Sequence, residues 1–148
     1  MPIRTASSSD IQVWADLRAQ LWDDTSLGQH RDEAAAMLAK CPHDGIVFLE
    51  VVDGATIRAF AEATLRRDHV NGCETSPVAF LEGIFVRPED RGSGVGRLLL
   101  KSVQSWAKER GCSEFASDAH IDNAASHTFH LSLGFEETER VVYFRKAL

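Results

Sequence analysis

Arg91-Gly92-Ser93-Gly94-Val95-Gly96 stands between an apolar run, Phe80 to Val86, and an apolar-periodic run, Val95 to Trp106. The first pattern is that of a strand and the second that of a helix, so the glycines form the turn between them. Such a turn exposes backbone N–H groups at the positive end of a helix dipole, an arrangement that holds phosphates. Spacing narrows the ligand. A kinase-type phosphate loop places Lys and then Ser or Thr after its last glycine, whereas Arg97-Leu98 follows Gly96 here. A dinucleotide fingerprint needs its third glycine at the sixth position, and counted from Gly92 that position is Arg97. What remains is Arg-x-x-Gly-x-Gly between a strand and a helix.

Working outward, the strand over 78–86 is nearly continuous in apolar residues, as a central strand is, with Glu82 and Gly83 as exceptions. A glycine there predicts a bulge, and a carboxylate beside it is costly unless used or paired. Upstream, Asp53-Gly54 between apolar runs at 46–52 and 56–64 predicts a hairpin, because both residues accept positive φ. Residues 66–77 have no strand or helix period and read as a long loop. A first short strand is expected at Ile3 to Thr5. Ser7 to Asp10 offer cap oxygens to a helix carrying Ile11, Trp14, Leu17 and Leu21, and a polar loop at 23–28 leads to a second helix over 32–40, stopped before Pro42. Downstream, a helix over 95–110 ends at Gly111, and a strand follows at 114–118. Asn123 caps a helix over 124–133 that Gly134 closes, and a terminal strand is expected over 141–144. The result is a mixed α/β sheet with helices on its faces.

With 148 residues and 44% hydrophobic content the chain suits one domain, 1–148. No apolar run reaches the ~20 residues of a membrane span, and the N-terminus lacks a signal peptide's apolar core; a cytoplasmic location and no membrane partner are expected. Cys41, Cys73 and Cys112 are odd in number and lack metal-ligand spacing, which suggests reduced thiols. A net charge of -6 disfavours a nucleic-acid partner and favours a cationic one.

Arg-x-x-Gly-x-Gly after a strand resembles the acetyl-coenzyme A pyrophosphate loop of the GNAT superfamily of N-acetyltransferases, and the order of elements is similar too. The resemblance implies a mixed, mostly antiparallel sheet, splayed between its fourth and fifth strands to admit a thioester and flanked by about four helices. It implies that Arg91, Gly92, Ser93, Gly94, Val95, Gly96 and Arg97 take the pyrophosphate of acetyl-CoA, that Ile84, Phe85 and Val86 border the coenzyme, and that Asn123 and His127 contact it. Asn123 reads equally as a helix cap. An amine attacks a thioester only when neutral, and a free one has a pKa near ~10, so a proton acceptor is needed. Asp118 is the expected base, directly or through water, with Glu82 positioning the amine and sharing that task. The plainer alternatives are a carboxylate paired at a bulge and a loop cap. His130 stands where many family members carry a Tyr that protonates the departing thiolate; a thiol of acidity near ~8.5 also leaves with little help. His127 and His130 share a helix face, but no third ligand stands at fixed spacing, so no metal is expected.

Over nearly its whole length the chain resembles the aminoglycoside 6′-N-acetyltransferases, type I, in Leu17 to Trp22, Asp68 to Val86, Ala116-Ser117-Asp118 and Leu133 to Arg140. That resemblance implies an acidic cleft for a polycationic aminosugar, bordered by Trp22, Asp68, His69, Glu74, Glu82, Asp118 and Glu136, and a homodimer. Trp22 equally continues the apolar stripe of its helix, and Glu136 with Glu137 equally forms a solvated pair. The same fold acting on another small amine or a peptide N-terminus, or a non-catalytic coenzyme A-binding module, are the alternatives.

Overall fold

A computed structural model describes residues 2–148. Five strands run in sheet order β1 (Ile3–Thr5), β2 (Gly45–Val52), β3 (Thr56–Arg66), β4 (Val78–Val86) and β5 (Phe115–Ser117). The first four pair antiparallel and β4 pairs β5 parallel. Helices α1 (Ile11–Leu21), α2 (Leu27–Lys40), α3 (Val95–Glu109) and α4 (Ala124–Ser132) complete the expected α/β architecture.

The hairpin between β2 and β3 turns on Asp53 at φ 53° and Gly54 at φ 71°, both positive as a tight two-residue turn requires. Alternation along β3 divides the core into two layers. Ala59, Ala61 and Ala63 face α3, whose Leu99, Val103 and Trp106 pack on them, and their small size lets that helix lie close. Phe60 faces the other way, into a layer with Trp14 and Leu17 of α1 and Met37 of α2. Glu50 on β2 is a buried carboxylate held by Arg58.

Two expectations from sequence are corrected. The second helix begins at Leu27, not near residue 32, because the Ser26 hydroxyl accepts the Gln29 N–H at 3.2 Å and caps an earlier turn that contains Gly28. The terminal strand expected over 141–144 pairs with nothing among the described residues: Val142, Tyr143 and Phe144 are 77%, 82% and 92% exposed. Local β-propensity marks a strand only when an edge is there to receive it.

Asp10 ties the N-terminus to the sheet. Its carboxylate accepts two bonds from Arg4 at 2.8 Å each and one from the Ser7 N–H. The Arg4 guanidinium first, and the Ser7 N–H, hold its carboxyl down at about 2 against an ordinary 3.8. A lowered folded value contributes stability that is complete above the unfolded value and fades as pH falls toward about 2. Asp10→Asn is therefore expected to lose about 1–2 kcal/mol at pH 7, the exposure of Arg4 keeping the figure small, and the difference from wild type should vanish in denaturant melts near pH 2.

Candidate active site

β4 and β5 pair at three positions only, Ala79 with Phe115, Phe80 with Ala116 and Leu81 with Ser117. The residues that follow are Glu82 and Asp118, so the two carboxylates stand where the strands part. Glu82 is also the extra residue of the predicted bulge: on β3, Glu62 pairs with Gly83 and Ala63 with Leu81, which leaves Glu82 unmatched. One extra residue reverses the alternation. Before it, Phe80 faces away from α3 and Leu81 toward it; after it, Ile84 and Val86 face α3 while Phe85 joins the opposite layer. Glu82 accepts the Thr64 hydroxyl at 2.6 Å and Arg66 Nη2 at 3.0 Å. Asp118 is exposed.

Beyond Leu81 the edge of β4 that faces away from β3 has no strand partner among the described residues. It runs through a short 3-10 turn, Pro88–Asp90, into the glycine loop. Asp90 anchors that turn by accepting Arg87 Nε at 3.0 Å and Arg58 Nη1 at 3.2 Å. Gly92 and Gly94 take φ 80° and 86°, and no atom lies within 4 Å of a side chain placed on either. The main chain is thus open to close approach, with the unpaired N–H groups of the first turn of α3 beside it. These features fit a diphosphate. Arg91 donates Nε to the Val86 carbonyl at 2.9 Å, and the Ser93 hydroxyl closes the loop on the Asp90 carbonyl at 2.6 Å. Gly96 serves packing, since a methyl group there would meet the Phe129 ring of α4 at 3.0 Å. Arg97 points to α4, donating to the Ser132 carbonyl at 2.8 Å.

On the other side of the parting, the Asn123 side chain accepts the Ser126 N–H at 3.0 Å and so caps α4, and His127 donates to the His120 carbonyl. His130 Nδ1 lies 2.7 Å from the Ser126 carbonyl, which only accepts, so that nitrogen carries the proton and Nε2 accepts the Ser117 hydroxyl at 2.8 Å. His130 therefore faces the last paired residue of β5, with both ring nitrogens engaged. The Ser117 partner was not foreseen.

On the α1–α2 face, a cavity of about 880 Å³ is bordered by Trp22, Glu82 and Arg66. Trp22 is clamped there. Its ring lies over Gly83, where a Cβ would come within 2.4 Å of it; the Arg18 guanidinium stands 4.7 Å from the ring centroid; and buried His30 donates Nε2 to the Trp22 carbonyl at 2.8 Å. Arg18 is itself held by Glu62, buried on β3, which also accepts Trp14 Nε1 at 3.0 Å, and by Glu33 at 2.6 Å. Burial pushes the Glu62 carboxyl up, and the Arg18 charge and the Trp14 N–H pull against it. Arg18, Glu62 and His30 went unread in the sequence, although Glu62 inside the run Ala59 to Leu65 and Arg18 inside an apolar helix stripe were signals of a buried pair. Asp68, His69 and Glu74 lie on the 67–77 loop, outside the cavity. That loop is pinned by Glu114, which accepts the Glu74 and Thr75 N–H groups at 2.9 and 2.7 Å. Its Gly72 lies against Thr138, which sets the loop beside the segment carrying exposed Glu136.

A parallel pair that parts over a glycine-headed helix defines a coenzyme-dependent acyltransferase class, and the chain belongs to the acetyltransferase (GNAT) family, whose model matches residues 14–135. Within that family it is similar to the aminoglycoside N(6′)-acetyltransferase type 1 of Stenotrophomonas maltophilia, 49% identical over 147 residues, 99% of this chain and 93% of the relative. It is also similar to the crystal structure of the aminoglycoside antibiotic 6′-N-acetyltransferase AAC(6′)-Ig from Acinetobacter haemolyticus, at 45% identity and a TM-score of 0.94, covering 100% of this chain and 99% of that one. A third likeness, at 41% identity and a TM-score of 0.90 over 99% and 97% of the two chains, is AAC(6′)-Iy in complex with the bisubstrate analogue CoA-S-monomethyl-acetylneamine.

The Trp22 clamp gives a direct test. Gly83→Ala should push the indole out of place and raise the acceptor KM by about tenfold or more, the scale set by ~1.4 kcal/mol of lost contact, with acetyl-coenzyme A affinity unchanged. Steady-state kinetics in each substrate separates the two.

Proposed function

We propose that this chain transfers the acetyl group of acetyl-CoA to the 6′-amine of aminoglycoside antibiotics, and so confers resistance to them. One observation carries the reading: Glu82 and Asp118 are the first residues past the point where β4 and β5 part, beside an open strand edge that leads to the glycine loop. The names of the relatives and the bisubstrate complex support the choice of acceptor. The 148 residues act as a single N-acetyltransferase domain.

Acetyl-CoA supplies an acetyl group activated as a thioester. Gly92 to Gly96 and the first turn of α3 hold its diphosphate through main-chain N–H groups, with Arg91 alongside, while Ile84 and Val86 offer it the free backbone edge of β4. Phe85, which the resemblance also placed beside the coenzyme, turns its backbone to Phe60 of β3 and its side chain into the core, so it contributes only by holding its neighbours. Asn123 and His127 lie beside the coenzyme arm at the start of α4. Trp22 and Glu82 orient the aminosugar, with Asp68, His69, Glu74 and Glu136 taking its outer ammonium groups. Nearby carboxylates attract a cation but also stabilise its protonated form, so binding and proton removal fall to different groups. Glu82, already engaged by Thr64 and Arg66, positions the amine; Asp118, exposed at the strand end, accepts its proton directly or through water. His130 and Ser117 hold each other at the end of β5, and a thiol of acidity near ~8.5 leaves without a dedicated proton donor. Acetylation of another small amine remains the alternative that the acceptor comparison tests.

Thiol release from acetyl-CoA should accelerate on adding kanamycin and not on adding an analogue that lacks the 6′-amine. Asp118→Asn should lower kcat by about 10²–10⁴-fold with little change in acceptor KM, the range typical of a lost general base. Equal rates with both sugars, or an unaltered kcat in the variant, would remove the acceptor and the base respectively.

The same reading makes the enzyme a cytoplasmic homodimer. Three free thiols and no disulfide suit a reducing compartment, and Val142, Tyr143 and Phe144 form an exposed apolar segment of the kind that a partner copy covers. Light scattering should give the mass of two chains, and Phe144→Glu should shift it toward one.

A further inference from the structure

The cavity beside Trp22 is less acidic than its carboxylates suggest, because arginines already occupy them. Arg67 pairs with Asp44 at 2.9 Å, and Arg18 pairs with Glu62 and Glu33. Arg66 pairs with Glu82, Nη2 lying 3.0 Å from both oxygens and Nε 3.3 Å from one. Of the carboxylates that border the cavity, Asp24 alone has no cationic partner among the described residues.

We propose that Arg66 is the resident cation of the Glu82 site, a built-in competitor that an acceptor's ammonium group must displace. This rests on the acceptor reading above. Alternation places Thr64 and Arg66 on one face of β3, with Thr64 opposite Phe80 and Arg66 opposite Val78, and the bulge residue Glu82 is reached along that face by both side chains. Arg66 has two anchors, the carboxylate and the ring of Phe80, whose centroid is 3.5 Å from the guanidinium carbon. It leaves the first without leaving the second, and its side chain is 44% exposed, which gives it room to swing. Glu82 does not collapse when Arg66 departs, because the Thr64 hydroxyl still holds one of its oxygens at 2.6 Å.

The consequence is a threshold on charge. Replacing one cation by another at Glu82 returns little net Coulomb energy. An amine with a single ammonium group spends its charge on the exchange, whereas a polycation has further charges for Asp24 and the outer carboxylates. Arg66 thus imposes the same exchange on every acceptor, which leaves a monoamine weakly bound while a polycationic aminosugar recovers the loss at its other charges.

Protein NMR titrations of the full chain loaded with coenzyme A test this, with kanamycin as the polycation and methyl 6-amino-6-deoxyglucoside as the monoamine. In Arg66→Ala the monoamine should bind about fivefold more tightly, about 1 kcal/mol by the usual conversion, and kanamycin, which makes the same exchange at Glu82, should gain by a similar factor. Arg66→Gln, which keeps bulk over Phe80, should behave alike. Arg66→Lys should lie between, since an ammonium keeps the charge without the planar fork. Unchanged or weakened binding of the monoamine in both neutral variants overturns the proposal, since Arg66 would then merely support Glu82. If neither sugar binds any form, this proposal and the acceptor reading fall together. If wild type binds both but releases no thiol from acetyl-CoA, only the functional reading fails, and the affinity change from wild type to the Arg66 variants still decides the role of Arg66.

Discussion

One surplus residue in β4 sets the geometry of everything around it. Glu82 has no counterpart on β3, so the strand changes the face of every residue that follows, and pairing with β5 ends at the residue before it. The bulge bends the strand away, which frees the edge of β4 beyond Leu81. It also turns Gly83 toward α1, where the absence of a side chain admits the Trp22 ring. A cleft wall, an open strand edge and a carboxylate at their junction thus share one cause. A register without the extra residue would bring Glu82 into the ladder and point the residue after it at α3.

The wall is rigid because charge is buried behind it. Arg18 and Glu62 are both nearly inaccessible, and neither is tolerable alone; paired, and joined by Trp14, they fix the guanidinium beneath the Trp22 ring. His30 fixes the Trp22 backbone from the other side. On the opposite face the loop before α3 is fixed from below by Arg58 and Arg87 on Asp90, so its two left-handed glycines present main chain outward. The α1–α2 face is therefore built from side-chain charge and the glycine-loop face from backbone dipoles, and the parting of β4 and β5 connects them.

Features governed by local chemistry were legible in the sequence. Asp53-Gly54 gave the hairpin because its φ signs are demanded locally, Gly111 and Gly134 closed their helices in the left-handed region, and Glu82-Gly83 marked the bulge. The glycine loop was legible for the same reason. Features decided by distant partners were not. Nothing near Val141 to Phe144 says whether an edge awaits them, and nothing near Arg18 says that Glu62, 44 residues on, receives it. The early start of α2 was hidden because Gly28 argues against a helix while the Ser26 cap argues for one, and the cap prevails. Of the carboxylates expected around the cleft, Glu82 alone borders the cavity; Asp24, Glu33, Asp44 and Glu62, and the arginines that hold all but Asp24, are brought there by the packing of α1 and α2 on the sheet and were not legible.

Amide hydrogen exchange with and without coenzyme A tests most directly that a diphosphate rests on the glycine loop while the acyl arm enters where the strands part. Slowed exchange is expected from Gly92 to Arg97 and in β4 beyond Leu81, with β1 and β2 unaffected. Unchanged exchange at those amides under saturating coenzyme, or protection confined to another face of the sheet, would contradict it.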